Sequence, residues 1–323
     1  ADAYNNLGNS FNALGDSQNS IKSLEKAIEL NPNYGTAYNS LGVVFADSGD
    51  KLKGKIYFEK AIKLNPNFIT AIWNLHQFAL NIDEALIILK KIINIDKNYI
   101  RAKAIISAIE GYKGNFKDFE VLLDSYESKH PYIRSIKWVF SLPKLPKLFF
   151  NRWDFFEEII KLTDQSRPFY EFGVWNGVSF KYLINIYKKG FGFDTFTGLP
   201  DSWREISEGT YSSFGKVPKI KGGNFIVGKF EDTLPAYFAK KRPKASLINF
   251  DADLYSSTLC ALNNAKDIID KKTILVFDEF LINKEWEEDE FKALNEFCNN
   301  FNYSYDVIAV SFFSKQVAVK INK

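Results

Sequence analysis

The residues best placed to do chemistry stand where short apolar runs end. Phe169-Tyr170-Glu171-Phe172-Gly173-Val174-Trp175-Asn176-Gly177 follows a proline, reaches an acid, and runs through two glycines into Val178-Ser179-Phe180-Lys181-Tyr182-Leu183-Ile184. That pattern predicts a short buried strand, a tight turn and the start of a helix. Glycine suits such a turn because the backbone must bend sharply and let a ligand approach closely. Phe191–Phe196 reads as a second strand carrying Asp194. The acid stands at the ~20-residue spacing at which a dinucleotide-type βαβ unit bonds ribose hydroxyls. The bland alternatives are a plain βα turn and a loop-capping acid.

The pattern continues down the chain. Asn224–Phe230 reads as a third strand followed by Glu231 and Asp232; Ser246–Asp253 is the fourth and Thr273–Glu279 the fifth, both ending in acids. Tyr303–Val310 and Lys315–Ile321 form a closing hairpin. Strands joined by helical crossovers, then an antiparallel pair, predict a mostly parallel, doubly wound, Rossmann-like α/β sheet. Ligands of such sheets bind at the C-terminal strand edge, where these acids fall.

Five ordered motifs carry a resemblance: Glu171-x-Gly-x-x-x-Gly177, Gly192-Phe-Asp-Thr-Phe-Thr-Gly-Leu-Pro200, Gly228-Lys-Phe-Glu-Asp-Thr-Leu-Pro235, Phe250-Asp-Ala-Asp-Leu-Tyr-Ser-Ser-Thr258 and Val276-Phe-Asp-Glu-Phe280. Residues 151–323 resemble the macrocin O-methyltransferase family of the class I S-adenosylmethionine-dependent methyltransferases. The resemblance implies a seven-stranded sheet. It places Glu171, Gly173 and Gly177 around the amino acid part of the cofactor, Asp194 at its ribose, and Glu231 or Asp232 near its adenine. It also implies Mg²⁺ held by Asp251, Asp278 and Glu279, an all-oxygen set that suits a hard dication and not zinc. The alternative is that these acids bond the cofactor or cap helices. Trp175 stands where many class I enzymes have a glycine, and Glu279 where an Asp or Asn is usual. Methyl transfer to a hydroxyl needs the acceptor positioned and its proton managed. The histidines, His76 and His130, lie outside this region. The expected base is therefore Asp251 or a metal-bound hydroxyl. The Ser-, Gly- and Lys-bearing run from Pro200 to Gly223 is too long for a plain turn and reads as a lid over the acceptor.

The chain opens on a different pattern. Tyr4, Leu7, Gly8, Phe11, Ser20, Leu24, Ala27 and Pro32 recur as Tyr38, Leu41, Gly42, Phe45, Gly54, Phe58, Ala61 and Pro66. A unit of about 34 residues with these positions resembles the tetratricopeptide repeat, a helix–turn–helix module. A degraded third unit follows from Ile72 to Ile92, and helical periodicity continues to about 130. The repeats imply either a groove for a peptide or protein partner, or docking and contacts between copies of the chain. Asn5, Asn6, Asn9 and Asn39 would line the first helices, while most lysines fall on second helices. Trp73 and His76 read as packing residues.

The sequence thus divides into a helical repeat domain over 1–140, a linker with two prolines over 141–150, and a methyltransferase-like domain over 151–323. Its 323 residues are 46% hydrophobic and 25% charged with a net charge of +3, too balanced to argue for nucleic acid or a membrane surface. Two cysteines make no disulfide framework. No apolar run approaches the ~20 residues of a spanning helix and no signal peptide opens the chain, so the expected compartment is the cytoplasm. The absence of methionine and the start at Ala1 lead the reading to expect more sequence upstream. The expected activity is O-methylation of a sugar or sugar-bearing small molecule. The competing readings are a protein methyltransferase whose repeats recruit the polypeptide, and a non-enzymatic scaffold.

Overall fold

The computed structural model describes residues 1–322 and divides into two compact units, Ala1–Lys129 and His130–Lys323. In the first, helices pair in sequence: Asp2–Ala13 with Ser17–Leu30, Gly35–Asp47 with Lys51–Leu64, Ile69–Leu75 with Ile82–Ile95, and Ile100–Tyr112 with Lys117–Leu123. The second helices of the first two pairs start at aspartates, where Asp16 and Asp50 accept the backbone N–H of Asn19 and Lys53 at 3.0 and 3.1 Å. These side chains satisfy donors that a helix start leaves open. Gly8 and Gly42, equivalent in the repeat, mark the close approach within each pair. A Cβ there would fall 2.6 Å from Leu24 Cγ and 2.5 Å from Phe58 Cε1. The third pair departs from consensus because its first helix stops at Leu75 and continues as a 3₁₀ turn, His76–Phe78. His76 is buried and its ring lies 4.6 Å from that of Trp73, both as packing residues.

The second unit begins earlier than the sequence reading set it. Helix Pro131–Ser141 belongs to it by contact. Ser135 Oγ accepts the backbone N–H of Ile282 at 2.9 Å, and the Trp138 ring packs on Phe280, Trp286 and Phe291. The stretch read as linker carries a strand, β1 (Lys147–Phe149). The others are β2 (Phe169–Phe172), β3 (Gly190–Asp194), β4 (Gly223–Val227), β5 (Leu247–Phe250), β6 (Ile274–Phe277), β7 (Ser304–Ser311) and β8 (Val317–Asn322). They form one eight-stranded sheet in the order β1-β7-β8-β6-β5-β2-β3-β4. The sheet is parallel except at β8, which runs antiparallel to both neighbours. Seven strands were expected, and the eighth is β1, added outside β7.

From β2 the chain winds outward through β3 and β4, then returns to β5 on the other side of β2. The C-terminal ends of β2 and β5 are therefore the topological switch point, where open α/β sheets leave a crevice. Phe172 of β2 stacks on Phe193 of β3 at 4.8 Å and on Phe250 of β5 at 5.4 Å, and Phe250 stacks on Phe277 of β6 at 4.8 Å. This row is fully buried, and each ring of this size stabilises the fold by roughly 1.5–3 kcal/mol. It fixes the register just below the edge. The residues that follow each ring, Gly173, Asp194, Asp251 and Asp278, thus emerge together. No helix of the described residues is long and apolar enough to cross a membrane.

Candidate active site

Glu171 is fully buried, one residue short of the β2 edge, and accepts the Ser179 hydroxyl at 2.5 Å through Oε1. Its Oε2 is buried without a partner. Loss of solvent pushes its carboxyl up to about 8, against the pull of the Ser179 hydrogen bond. Gly173 follows with φ +86°, and a Cβ there would lie 1.8 Å from the Asp251 carbonyl oxygen. Both the conformation and the approach of β5 demand glycine. Trp175 is left-handed too, at φ +50°, a conformation that costs a non-glycine residue about 1–2 kcal/mol. Asp194 holds the turn: Oδ2 accepts the N–H of Val174 and Trp175 at 2.6 and 2.7 Å, and Oδ1 that of Phe196 at 2.6 Å. A carboxylate has about four acceptor positions, so one remains on Oδ1.

On the other side of the switch point the acids crowd. Asp253, at φ +58° and nearly buried, has its carboxyl pushed up to about 8 by burial and by the charges of Glu279 and Asp278. Burial, then Asp278, raises Asp251 well above the usual carboxylate range. Asp278 is raised by burial, while Arg152, at 2.5 Å from its Oδ2, pulls the other way; Gln316 donates to its Oδ1 at 2.7 Å. Glu279 Oε2 accepts Lys315 at 2.7 Å and Asn283 at 2.6 Å. Glu290 is fully buried, accepts the Glu279 N–H at 3.0 Å, and leaves Oε1 without a partner. The loop between β3 and β4 reaches this group. Tyr211 packs edge-on against the Trp175 ring at 5.7 Å, and burial and the charges of Asp253, Glu279 and Asp251 push its phenol up to about 12. Trp203 and Arg204 of the same loop both bond Asp289.

The structure brings Glu171, Gly173, Gly177, Asp194, Asp251 and Asp278 to one strand edge. Glu231 and Asp232 sit exposed in the first turn of helix Phe230–Phe238. That turn follows Gly228 and Lys229, which line a cavity of about 430 Å³ with Thr195, Thr197 and Gly198. The Mg²⁺ set does not fit. Among the described residues no three His, Cys, Asp or Glu side chains are grouped so as to hold a metal; Arg152 and Gln316 engage the two oxygens of Asp278, and Lys315 and Asn283 both engage Glu279 Oε2. Trp286, Asp289 and Glu290 are buried, although acids at a helix start ordinarily face solvent. Sequence reasoning passed over Arg152, Asp253 and Glu290 as site residues; Asp253 was visible as the second acid of the Asp-Ala-Asp run. For S-adenosylmethionine the fit is good. Three buried polar atoms at the switch point lack partners, namely Glu171 Oε2, Asn249 Oδ1 and Trp175 Nε1, and they supply the acceptors and the donor that a zwitterion needs.

A tetratricopeptide repeat family model matches residues 1–34, and a second matches 35–68. The chain opens with a pair of tetratricopeptide repeats. No curated protein matches the chain in sequence. Among solved structures it is similar to the O-methyltransferase NovP, at 18% identity over 51% of this chain and 78% of that one with a TM-score of 0.39. It is similar also to the calicheamicin methyltransferase CalS11, at 20% identity over 63% and 90% with a TM-score of 0.41. A further likeness is to the MamA protein, at 25% identity over 40% and 74% with a TM-score of 0.34. The strand order, and not these partial likenesses, defines the fold.

Proposed function

We propose that the second unit transfers a methyl group from S-adenosylmethionine to a hydroxyl of a sugar or sugar-bearing small molecule, and that the repeats bind a polypeptide partner or a second copy of the chain. The observation that carries this reading is the Glu171–Gly177 turn at the switch point, braced by Asp194 and facing the acids that follow β5 and β6. The cofactor, when bound, supplies a methyl group activated on sulfonium sulfur. Glu171 Oε2 and Asn249 Oδ1 accept from its ammonium, the open position on Asp194 Oδ1 takes a ribose hydroxyl, and the cavity beside Gly228 suits the adenine. The acceptor lies among the carboxylates beyond β5, under the loop that carries Tyr211. Asp253, with a proton affinity near neutral pH, takes the hydroxyl proton. Asp251, raised by burial and by the charge of Asp278, lies on the same strand edge beside it. Asp253 is nearly buried and Asp251 half-buried, which limits the water that reaches the transfer.

The test is purified protein incubated with methyl-labelled S-adenosylmethionine and a panel of sugar nucleotides and glycosides, in parallel with a protein lysate. Label in a small molecule, lost in Asp253→Asn, supports the reading. Label in polypeptide sends the activity to protein methylation. Failure of the cofactor to bind leaves a scaffold.

A further inference from the structure

The turn that follows β2 spends most of its main-chain donors on the protein itself. Gly173 N–H bonds Phe193 O at 2.9 Å, Gly177 N–H bonds Val174 O at 2.8 Å, and Val178 N–H bonds Asn176 Oδ1 at 3.3 Å. Val174 and Trp175 give theirs to Asp194. A glycine turn entering a helix ordinarily offers such N–H groups to an anion; here those of Val174 and Trp175 are already taken by Asp194, which leaves fewer for a carboxylate. The guanidinium nearest the acids, Arg152, is engaged with Asp278. A side-chain donor on the turn is left over as well: Trp175 Nε1 is buried and has no partner. A buried indole N–H without an acceptor is unfavourable, and the residue also holds a left-handed backbone where glycine would be strain-free. The ring does not float. Tyr211 packs edge-on against it at 5.7 Å.

We infer that the Trp175 indole N–H donates to the carboxylate of the cofactor's amino acid part, making Trp175 a cofactor-binding residue. The inference rests on the cofactor reading above. The ammonium and carboxylate of the amino acid then part company. The first goes to Glu171 and Asn249, whose buried oxygens lack donors, and the second to Trp175, whose buried donor lacks an acceptor. Tyr211, seated on the same ring, closes the loop over this end of the cofactor.

The test is isothermal titration of two probes, S-adenosylhomocysteine and 5′-methylthioadenosine, which lacks the amino acid part, into the full chain. Trp175→Phe keeps an aromatic ring against Tyr211 and removes the N–H. It weakens S-adenosylhomocysteine tenfold or more and leaves methylthioadenosine within twofold of wild type; Trp175→His, which restores a ring N–H, recovers part of the loss. The unliganded Phe variant melts no lower than wild type, because the donor it loses had no partner. Equal affinity of both proteins for S-adenosylhomocysteine overturns the inference alone, as does an equal loss for both probes. Wild type that binds neither probe overturns the cofactor reading, and this inference with it.

Discussion

Glu171→Gln should make the second unit more stable at alkaline pH while removing its cofactor affinity. The carboxyl is fully buried and its value rises from 4.5 to about 8, chiefly through loss of solvent. The sign follows from which state holds the proton more tightly. A folded value above the unfolded one means that the native protein retains a proton the unfolded chain releases. The group's stabilisation is therefore complete below about pH 4.5 and is lost as pH rises through 8. At about 1.4 kcal/mol per unit, unfolding becomes easier by roughly 3 kcal/mol between pH 4.5 and 7, and by up to about 5 kcal/mol by pH 9. Glutamine keeps an acceptor for the Ser179 hydroxyl and has nothing to ionise. Asp251, Asp253 and Glu290 are raised as well, so wild type slopes more steeply than Glu171 alone requires, and the difference between the two proteins isolates this residue. The assay is urea unfolding from pH 5 to 9 followed by tryptophan emission. Of the six tryptophans only Trp73 lies in the repeats, so the signal reports the second unit. Parallel pH profiles for the two proteins would refute the argument.

Other consequences can be read in the same way. Gly173→Ala meets the Asp251 carbonyl at 1.8 Å and a positive φ together; it should destabilise the second unit by more than about 2 kcal/mol and abolish cofactor binding, seen in melting and titration. Gly42→Ala forces the Phe58 ring away from 2.5 Å and should cost the repeats about 1–3 kcal/mol, read as an earlier loss of helical circular dichroism with cofactor affinity unchanged. Asp194→Ala strands three N–H groups and should cost roughly 2–4 kcal/mol, whereas Asp194→Asn, which keeps one acceptor oxygen, should lose less than half of that. Because Arg152 and Lys315 already occupy Asp278 and Glu279, millimolar Mg²⁺ should leave the melting temperature of wild type unmoved. A rise of several degrees would show that these cations yield to the metal.

The fold was legible where periodicity and punctuation act locally. Apolar runs ending in an acid mark β3, β5 and β6, because a buried parallel strand is mostly apolar and its edge admits charge; β2 departs from this with Glu171 buried inside the strand. The repeats showed themselves through Gly8 and Gly42, since one close helix contact needs the same small residue each time. Strand β1 was hidden by Pro143 and Pro146, which speak for irregular chain; the strand begins just beyond them, at the sheet edge, where a proline does little harm. The occupants of the acids were hidden for another reason. Arg152 and Gln316 reach Asp278 from 126 and 38 residues away, and no local pattern announces such a meeting. Glu290 looked like an ordinary helix-start acid, and such acids face water. It turns inward because the Glu279 N–H, at the end of β6, needs an acceptor.

Asp194 shows how the two kinds of information combine. Its position identified it as a candidate ribose acceptor, yet in the fold it first serves as the brace of the turn, taking three main-chain donors. That service withdraws the Val174 and Trp175 amides from any anion, and the side chain at the unusual position in the motif, Trp175, supplies a donor in their place. The departure at 175 and the bonding of Asp194 are then one fact. A glycine at 175 would fit the backbone without strain but would carry no donor. A turn that gives two of its amides to Asp194 gains a donor back from the side chain, and accepts a left-handed tryptophan to have it. If Asp194→Asn releases some of those amides, the variant should depend less on the indole. The combined loss of S-adenosylhomocysteine affinity in Asp194→Asn with Trp175→Phe should then fall short of the sum of the single losses. Strict additivity would mean that the brace and the indole act independently, and that the strain at 175 has another cause.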